Sequence, residues 1–143
     1  MSTLSAAVRA SASALSAERT RIEVAVSNLA NAESTRGPDG KPYRRRDVVL
    51  ASSDVQSFDS ALGQATAVGV KVQAVLEDQT AARVRYDPSH HDANAEGYVA
   101  LPNVDPAEEM VDMLSAARAY QANLTAIGLI RDLVQRAVDL GRG

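Results

Sequence analysis

The 143-residue chain is 45% hydrophobic and 23% charged, carries a formal charge of -3, and contains four Tyr, one Phe and no Cys or Trp. Its length suits one domain with a buried core. The absence of Cys excludes disulfides, thiol nucleophiles and Cys-ligated metal clusters, and a core of small aliphatic residues argues against the deep pocket of an enzyme. The sequence also lacks the roughly 18 consecutive apolar residues of a membrane span and the basic, apolar start of a secretory signal peptide.

The charge is distributed unevenly along the chain. Residues 1–50 carry eight Lys or Arg and five Asp or Glu, whereas residues 51–143 carry seven and thirteen. Complementary electrostatic fields of this kind can steer copies of one protein into head-to-tail association. Chance scatter explains the same counts, so both interpretations stay open.

The first predicted element is an N-terminal helix that ends near Asn31 and whose apolar stripe begins at Val8. Its apolar residues recur at alternating steps of four and three, which places them on one side of a helix. Leu15, Ile22 and Leu29 lie seven residues apart on this stripe. Most other positions on the stripe are small, so we expect the helix to depend on a covering partner.

The middle of the chain predicts turns and short strands. A turn at 37–40, with the sequence Gly-Pro-Asp-Gly, follows the helix. Alternation of apolar and polar residues then predicts strands at 43–50, 70–76, 84–86 and 97–101. We expect the strands at 70–76 and 84–86 to pair as a hairpin across residues 78–81. Residues 51–67 are either a loop or a weak helix, and 87–96 form a polar loop.

A second helix is predicted from Asp105 to about Gly141. Asp105 is a plausible N-cap, with Pro106 at the first helical position and Glu108 three residues after the cap. The stripe of this helix again alternates by four and three and is widened by further apolar residues, and it includes Met110, Met113, Tyr120, Leu124 and Ile127. The sequence therefore predicts a mainly α fold with a small β part (α+β), with long helices at both termini.

Three adjacent residues, His90, His91 and Asp92, are the strongest hint of metal or acid-base chemistry. We expect the two His side chains to point to opposite sides of an extended chain, and the sequence holds no third His. A solvated loop is the favoured interpretation. A His-dependent metal enzyme is the weakest of the functional alternatives.

Other charged groups have ordinary structural explanations. Arg44, Arg45 and Arg46 form a basic cluster, but nucleic-acid binding requires further basic faces or stacking aromatics, so we expect these charges to face solvent or a neighbouring subunit. The acidic pairs at 77–78 and 108–109 suit a polar turn and the first turn of a helix. The turn at 37–40 lacks the Lys-Ser/Thr of a phosphate loop. We predict no catalytic, cofactor-binding or metal site, no nucleic-acid partner and no small-molecule substrate.

Two sequence blocks resemble the signature segments of bacterial flagellar rod and hook proteins. The first is Ser27–Thr35 followed by Gly37–Arg44. The second comprises Gly97–Val99, Leu101–Asp105, Glu109–Val111 and Met113, and it ends in Ala117–Asn123 with Tyr-Gln-Ala-Asn. The two blocks match the family in order and spacing over nearly the whole chain, and the extended first block is similar to the proximal-rod members.

The resemblance implies a coiled-coil rod-core domain formed by residues 1–33 and 105–143, with a turn-rich outer segment at 34–104. Copies of such a domain stack helically around the export channel of the rod. The implied function is structural, namely torque transmission from the motor to the hook in the proximal rod. An unrelated cytoplasmic coiled-coil adaptor is the alternative.

The family resemblance also implies partners and a location. The partners are other copies of the chain, proximal and distal rod subunits, the adaptor between export gate and motor ring at the rod base, and the flagellar type III export apparatus. The location is the basal-body rod in the cell envelope and periplasmic space, reached without a cleaved signal peptide. No cofactor is implied. The residues expected to pair the helices or serve assembly are Leu15, Ile22, Asn28, Leu29, Asn31, Met110, Met113, Tyr120, Asn123, Leu124 and Ile127, with the three Asn satisfying backbone groups at helix ends or interfaces.

Overall fold

The computed structural model describes residues 2–54 and 68–142. Two long helices, α1 (Ser2–Ala30) and α2 (Pro106–Leu140), flank four short strands. The strands are β1 (Arg46–Asp54), β2 (Val68–Glu77), β3 (Arg83–Tyr86) and β4 (Tyr98–Leu101). This architecture confirms the predicted mainly α fold class with a small β part. Neither α1 nor α2 combines the length and apolar character that a membrane span requires.

The predicted end of α1 and start of α2 agree with the structure. The helix α1 ends at Ala30, where the backbone N–H of Asn31 still donates to the carbonyl of Ser27 at 3.1 Å. The Asp105 side chain caps α2, because its Oδ1 accepts a 2.8 Å hydrogen bond from the N–H of Ala107. The helix α1 begins at Ser2, before the apolar stripe that starts at Val8.

The strand pairing differs from the predicted hairpin. In the structure β2 pairs with β1, and β3 pairs with β4, so the expected hairpin across residues 78–81 is wrong. Alternation along a strand indicates which faces are buried, but it does not specify the neighbouring strand. The pair β3 and β4 is antiparallel, with Arg83 opposite Leu101 and Tyr86 opposite Tyr98.

The bounds of β1 also differ from the prediction. The strand begins at Arg46 rather than Tyr43 and continues through Asp54, into the segment expected to be a loop or weak helix. The residues before Arg46 are held by hydrogen bonds to side chains instead of by a strand ladder. The rest of the predicted loop or weak helix, residues 55–67, lies outside the described residues.

The described residues form two compact units, and each long helix contributes to both. The first contains described residues of Met1–Thr20, Leu50–Gln73 and Ser115–Gly143. In it Ala17 and Ala116 are buried, and the N–H of Val70 donates to Ser13 Oγ at 3.1 Å. The three-part division of the chain expected from the sequence stays a prediction.

The second unit contains Arg21–Val49 and Ala74–Leu114. Its apolar core includes Val99, Leu101 and Val104, of which Val99 and Val104 are fully buried. Along β4 exposed and buried residues alternate, which is the period of a strand with one covered face. The second unit also buries two polar side chains, Asn28 and Glu109, and these define the candidate site.

Candidate functional site

The side-chain amide of Asn28, in the last turn of α1, lies at the centre of a buried polar network. Only 1% of Asn28 is exposed. Its Oδ1 accepts hydrogen bonds from the Arg46 N–H at 3.0 Å and the Tyr43 hydroxyl at 2.9 Å. Its Nδ2 donates to the Arg46 carbonyl at 2.9 Å and to Glu109 Oε2 at 3.0 Å. An amide has two donors and two acceptor lone pairs, so every hydrogen-bonding position of Asn28 is occupied.

The two bonds between Asn28 and the backbone of Arg46 resemble one rung of a β-ladder. The amide side chain takes the place of a peptide group from a neighbouring strand, because it offers both a donor and an acceptor. A carboxylate at this position has no donor for the Arg46 carbonyl. The amide therefore attaches the first residue of β1 to the last turn of α1.

Glu109 and Arg45 form the charged part of the network. Glu109 is 2% exposed, and its Oε1 accepts a 2.6 Å hydrogen bond from Arg45 Nε. Arg45 also lies 2.8 Å from Asp47 Oδ1 through Nη1 and 3.6 Å from Asp112 Oδ2 through Nη2. Both oxygens of Glu109 are thus occupied, one by the guanidinium and one by the Asn28 amide. Leaving either oxygen of a buried carboxylate without a partner costs free energy, and here both have one.

The pKa of the Arg45 guanidinium is raised above its ordinary value. Burial alone lowers this pKa, but the hydrogen bond to Glu109 and the negative charges of Asp47, Glu109 and Glu108 outweigh the loss of solvation. Arg45 therefore stays cationic beside Glu109 in the folded unit.

Asn103 connects the network to the segment between β2 and β3. Its Oδ1 accepts a 3.0 Å hydrogen bond from the backbone N–H of Arg45. Its Nδ2 donates to Thr80 Oγ1 at 2.7 Å. The Arg45 backbone is consequently fixed from one side by Asn103 while its side chain is fixed from the other by Glu109.

The other two predicted asparagines hydrogen-bond to groups close in sequence. Asn31 Nδ2 donates to the Ser27 carbonyl at 2.8 Å, and Asn123 Nδ2 donates to the Ala119 carbonyl at 2.9 Å. Both carbonyls lie four residues earlier in the chain. Of the predicted assembly residues, only Asn28 belongs to the network around Glu109.

The predicted apolar assembly residues differ in how far they are covered. Met110 is 46% exposed and Leu124 is 47% exposed. The remaining members are half-buried, namely Leu15, Ile22, Leu29, Met113, Tyr120 and Ile127. Their role in pairing the helices or in assembly stays a prediction.

Sequence reasoning missed Arg45 and Glu109 as site residues. Arg45 was expected to face solvent or a neighbour with Arg44 and Arg46, whereas its side chain is only 16% exposed and points inward. The signal for the difference was the alternation of side chains in an extended chain, which places Arg45 opposite its two neighbours. Nothing local separates buried Glu109 from exposed Glu108, since both suit the first turn of a helix.

The two outer arginines of the basic cluster are exposed, as expected. Arg44 Nη1 lies 3.3 Å from the Asp78 carbonyl oxygen and 3.1 Å from Gln79 Oε1. Arg46 lies over the ring of Tyr43, with 5.6 Å between its Cζ and the ring centroid.

The expected orientation of His90 and His91 is wrong. Their rings stack with centroids 4.5 Å apart, because the segment is a turn and not an extended strand. The possible metal-ligating atoms of His90, His91 and Asp92 lie within 4.8 Å of one another. However, His90 Nδ1 accepts the backbone N–H of Asp92 at 3.1 Å, and the Arg36 guanidinium lies 3.0 Å from Asp92 Oδ1. The Arg36 guanidinium repels a metal cation at Asp92, and His90 Nδ1 already accepts a hydrogen bond. These three residues therefore favour a hydrogen-bonded turn over a metal site.

The carboxylate of Asp92 attaches this turn to the segment after α1. Its Oδ2 accepts a 2.9 Å hydrogen bond from Thr35 Oγ1 and lies 3.0 Å from His91 Nε2. The Thr35 hydroxyl, with Arg36 and the two histidines, holds the pKa of the Asp92 carboxyl below its ordinary range against the opposing effect of burial. The side chain is thus a structural anchor for residues 35–36.

Comparison with known proteins identifies the family of the chain. The family model described as "Flagella basal body rod protein" matches residues 8–38, which include Asn28. The model described as "Flagellar basal body rod FlgEFG protein C-terminal" matches residues 95–140, which include Glu109. The two central residues of the network therefore lie in two separate family segments.

Curated relatives match most of the chain. The chain is 45% identical over 130 residues to the flagellar basal-body rod protein FlgC of Salmonella typhimurium, which covers 91% of this chain and 92% of that protein. It is 45% identical over 142 residues to FlgC of Bacillus subtilis, with 92% and 94% covered. Identity to FlgC of Borreliella burgdorferi is 36%, with 98% and 99% covered. The chain belongs to the FlgC family of flagellar basal-body rod proteins.

Proposed function

We propose that the chain is a structural subunit of the flagellar basal-body rod and serves flagellum-dependent motility. The observation that carries this proposal is the 45% identity, over about nine-tenths of the chain, to the FlgC rod proteins of Salmonella typhimurium and Bacillus subtilis. The long helices α1 and α2 suit the role, because repeated side-by-side contacts between elongated elements build helical assemblies.

The chemistry of the buried network supports a structural role without catalysis. Asn28, Arg45 and Glu109 direct their polar atoms at one another and at the backbone of the same unit. Such a network orients helix ends, and its hydrogen bonds serve contacts within the unit. A fixed geometry at these positions suits a subunit that bears mechanical load.

In more detail, the proposed position is the proximal rod, where the subunit transmits torque from motor to hook and helps enclose the export channel. The partly uncovered apolar residues Met110 and Leu124 support assembly through the helices, because nearly half of each side chain is available to a neighbour. Pairing of α1 with α2 as a coiled coil belongs to this proposal.

The proposed partners are other copies of the chain, the other proximal and distal rod subunits, and the adaptor between export gate and motor ring at the rod base. We also propose that the flagellar type III export apparatus delivers the chain, without a cleaved signal peptide, to the periplasmic part of the basal body. The second unit is closed by contacts between residues that are distant in sequence. A chain of this kind can cross a narrow channel unfolded and fold afterwards, which supports the proposed route.

Deletion of the gene in its host tests the function. We expect the deletion strain to lose swimming in soft agar and its purified basal bodies to lack a completed rod. A plasmid copy of the intact gene is the matched control and restores both. A deletion strain that swims normally contradicts the rod function, and a protein that stays in the cytoplasm of a flagellated host supports the coiled-coil adaptor instead.

A further inference from the structure

A cleft of about 600 Å³ in the second unit has more cations than anions among its lining residues. It lies beside the turn at 37–40 and contains four positive and two negative side chains, an excess of two positive charges. The charged lining residues are Arg36, Lys41, Arg44, Arg46, Asp39 and Glu77. We call this cleft the basic cleft.

Two of the four cations of the basic cleft form no ion pair within the described residues, whereas Arg36 pairs with Asp92 at 3.0 Å. Lys41 forms no ion pair with any of the described residues, and Arg44 contacts only a carbonyl and a neutral amide oxygen. Arg46 has a distant carboxylate partner, with 3.8 Å between its Nη2 and Glu77 Oε1. Cations left in this state favour a ligand that brings carboxylates.

The remaining walls of the basic cleft include apolar residues as well as the polar Asn31 and Ser34. Pro38, Pro42 and the ring of Tyr43 line it beside the cations. A matching ligand therefore combines acidic groups with an adjacent apolar surface. This requirement favours a protein segment over a small inorganic anion.

The chain itself carries a surface of that composition at the start of α2. Asp105 and Glu108 are exposed, and among residues 2–54 and 68–142 neither forms an ion pair. One helical turn after Glu108, Val111 is 65% exposed on the same side of α2. We call Asp105, Glu108 and Val111 the acidic turn. Its charges and its apolar side chain complement the cations and the apolar residues of the basic cleft.

We propose that the basic cleft of one copy docks the acidic turn of a second copy. The proposal rests on the proposed function, because a rod brings copies of the chain next to one another. Since the two surfaces differ, the contact is heterologous and propagates from copy to copy instead of closing as a symmetric dimer. It also gives a structural origin to the unequal charge of residues 1–50 and 51–143.

A charge-swap experiment tests this contact. The cleft variant carries Lys41→Glu and Arg44→Glu, both at exposed positions. The turn variant carries Glu108→Arg and Asp105→Asn, and the Asn preserves the helix cap. In either variant alone, the altered surface meets an unaltered surface of the same charge. In an equal mixture, the negative cleft of one variant can meet the positive turn of the other.

The measurement is sedimentation velocity of the purified full chain over a range of concentrations at low ionic strength. We expect self-association of the unaltered chain, a loss of about tenfold or more in the association constant for each variant alone, and recovery in the mixture. Added salt weakens the association, because exposed charges are screened within about 10 Å at 0.1 M ionic strength.

A matched control keeps the charge change but moves it away from the basic cleft. Lys71→Glu with Arg142→Glu alters two exposed cations outside the cleft and is expected to associate like the unaltered chain. Circular dichroism checks that every variant keeps its helix content. These measurements do not involve motility, so they can fail while gene deletion still confirms the rod function.

Two outcomes overturn the proposal. One is a mixture that associates no better than its separate components. The other is a basic cleft that binds a polyglutamate peptide, and loses this binding in the cleft variant, without any recovery on mixing. That second result identifies an acidic segment of a different protein as the occupant.

Discussion

Asn28 and Glu109 lie 81 residues apart in the chain, and a 3.0 Å hydrogen bond joins the amide of the first to the carboxylate of the second. Asn28 belongs to the last turn of α1 and Glu109 to the start of α2. Because both side chains are buried, the bond is shielded from water and fixes the end of one helix against the beginning of the other.

Replacement of Asn28 by Ala is expected to destabilise the chain strongly. The change leaves Glu109 with one unsatisfied buried oxygen and removes both partners from the Arg46 backbone, at a cost of about 3 kcal/mol in unfolding free energy. Urea unfolding followed by circular dichroism measures the effect. Asn31→Ala is the matched control, since Asn31 bonds only to groups close in sequence, and it is expected to cost less than half as much. Equal losses in the two variants contradict a central role for Asn28.

Arg45→Met is expected to cost about 3–5 kcal/mol, because it leaves the carboxylate of Glu109 buried without its cation. Adding Glu109→Gln removes that charge while keeping an acceptor for Asn28, so the double variant is expected to be more stable than Arg45→Met alone. Equilibrium unfolding of the four proteins in the cycle gives the coupling energy. Arg44→Met is the exposed control and is expected to change stability by less than about 0.5 kcal/mol. Additive effects of the two network substitutions argue against a direct Arg45–Glu109 interaction.

Thr35→Val is expected to raise the pKa of Asp92 towards the ordinary aspartate range, because the hydroxyl that stabilises the carboxylate is lost. In the unaltered chain the folded pKa lies below the unfolded one. The carboxylate therefore contributes stability above about pH 4, and this contribution is lost as the pH falls through the lowered folded pKa. An NMR titration of the Asp92 carboxyl carbon measures the pKa. Thr125→Val, within α2, is the control and should leave that titration unchanged.

Gly97 and Gly128 are expected to respond oppositely to Ala. Gly97 has a φ of +83°, and an added Cβ would lie 2.9 Å from Tyr86 Cε2 and 3.1 Å from Pro88 Cβ. Gly97→Ala should therefore destabilise by at least about 1–2 kcal/mol. Gly128 lies within α2 with no atom within 4 Å of an added Cβ, so Gly128→Ala should stabilise by about 0.5–1 kcal/mol. Thermal unfolding of both variants measures the difference, and a shift in the same direction for both rejects the conformational explanation.

Leu124→Asp separates folding from assembly. Because the side chain is 47% exposed in the single chain, a carboxylate there is expected to leave helix content nearly unchanged. In a packed rod the same carboxylate would be buried without a partner, at a cost of several kcal/mol, roughly 2–7 by transfer measurements of polar groups. Complementation of the gene deletion, scored by swimming and by electron microscopy of basal bodies, measures assembly. Thr125→Asp, at an exposed neighbouring position, is the control. If the Leu124→Asp variant assembles normal rods, Leu124 does not belong to the assembly surface.

The helices were largely predictable because their signals are local. The step of three and four residues locates both stripes, and Asp105 with Pro106 marks the start of α2 to within a residue. Strand pairing was not predictable in the same way. The alternation at 70–76 and 84–86 indicates two strands, but it carries no information that β1 and β4 are their respective partners.

The candidate site was predictable only in part. The resemblance to rod proteins singled out Asn28, and its partners came from residues far away in sequence. Glu109 and Glu108 have the same local context, and only the packing of residue 45 against α2 determines which of the two is buried. The stacking of His90 on His91 was likewise decided by the turn that holds them and not by their adjacency.

The position of Glu109 in the chain determines when the second unit can close. A ribosome delivers the N-terminal part first, so Asn28, Tyr43 and Arg45 are all made before the carboxylate that joins them. Until residue 109 is available, the Asn28 amide lacks one acceptor and Arg45 lacks its closest anion. Contacts of such long sequence separation also form slowly, since they require closure of a large loop. The contact that joins α1 to α2 in the second unit can therefore form only after residue 109 has been made.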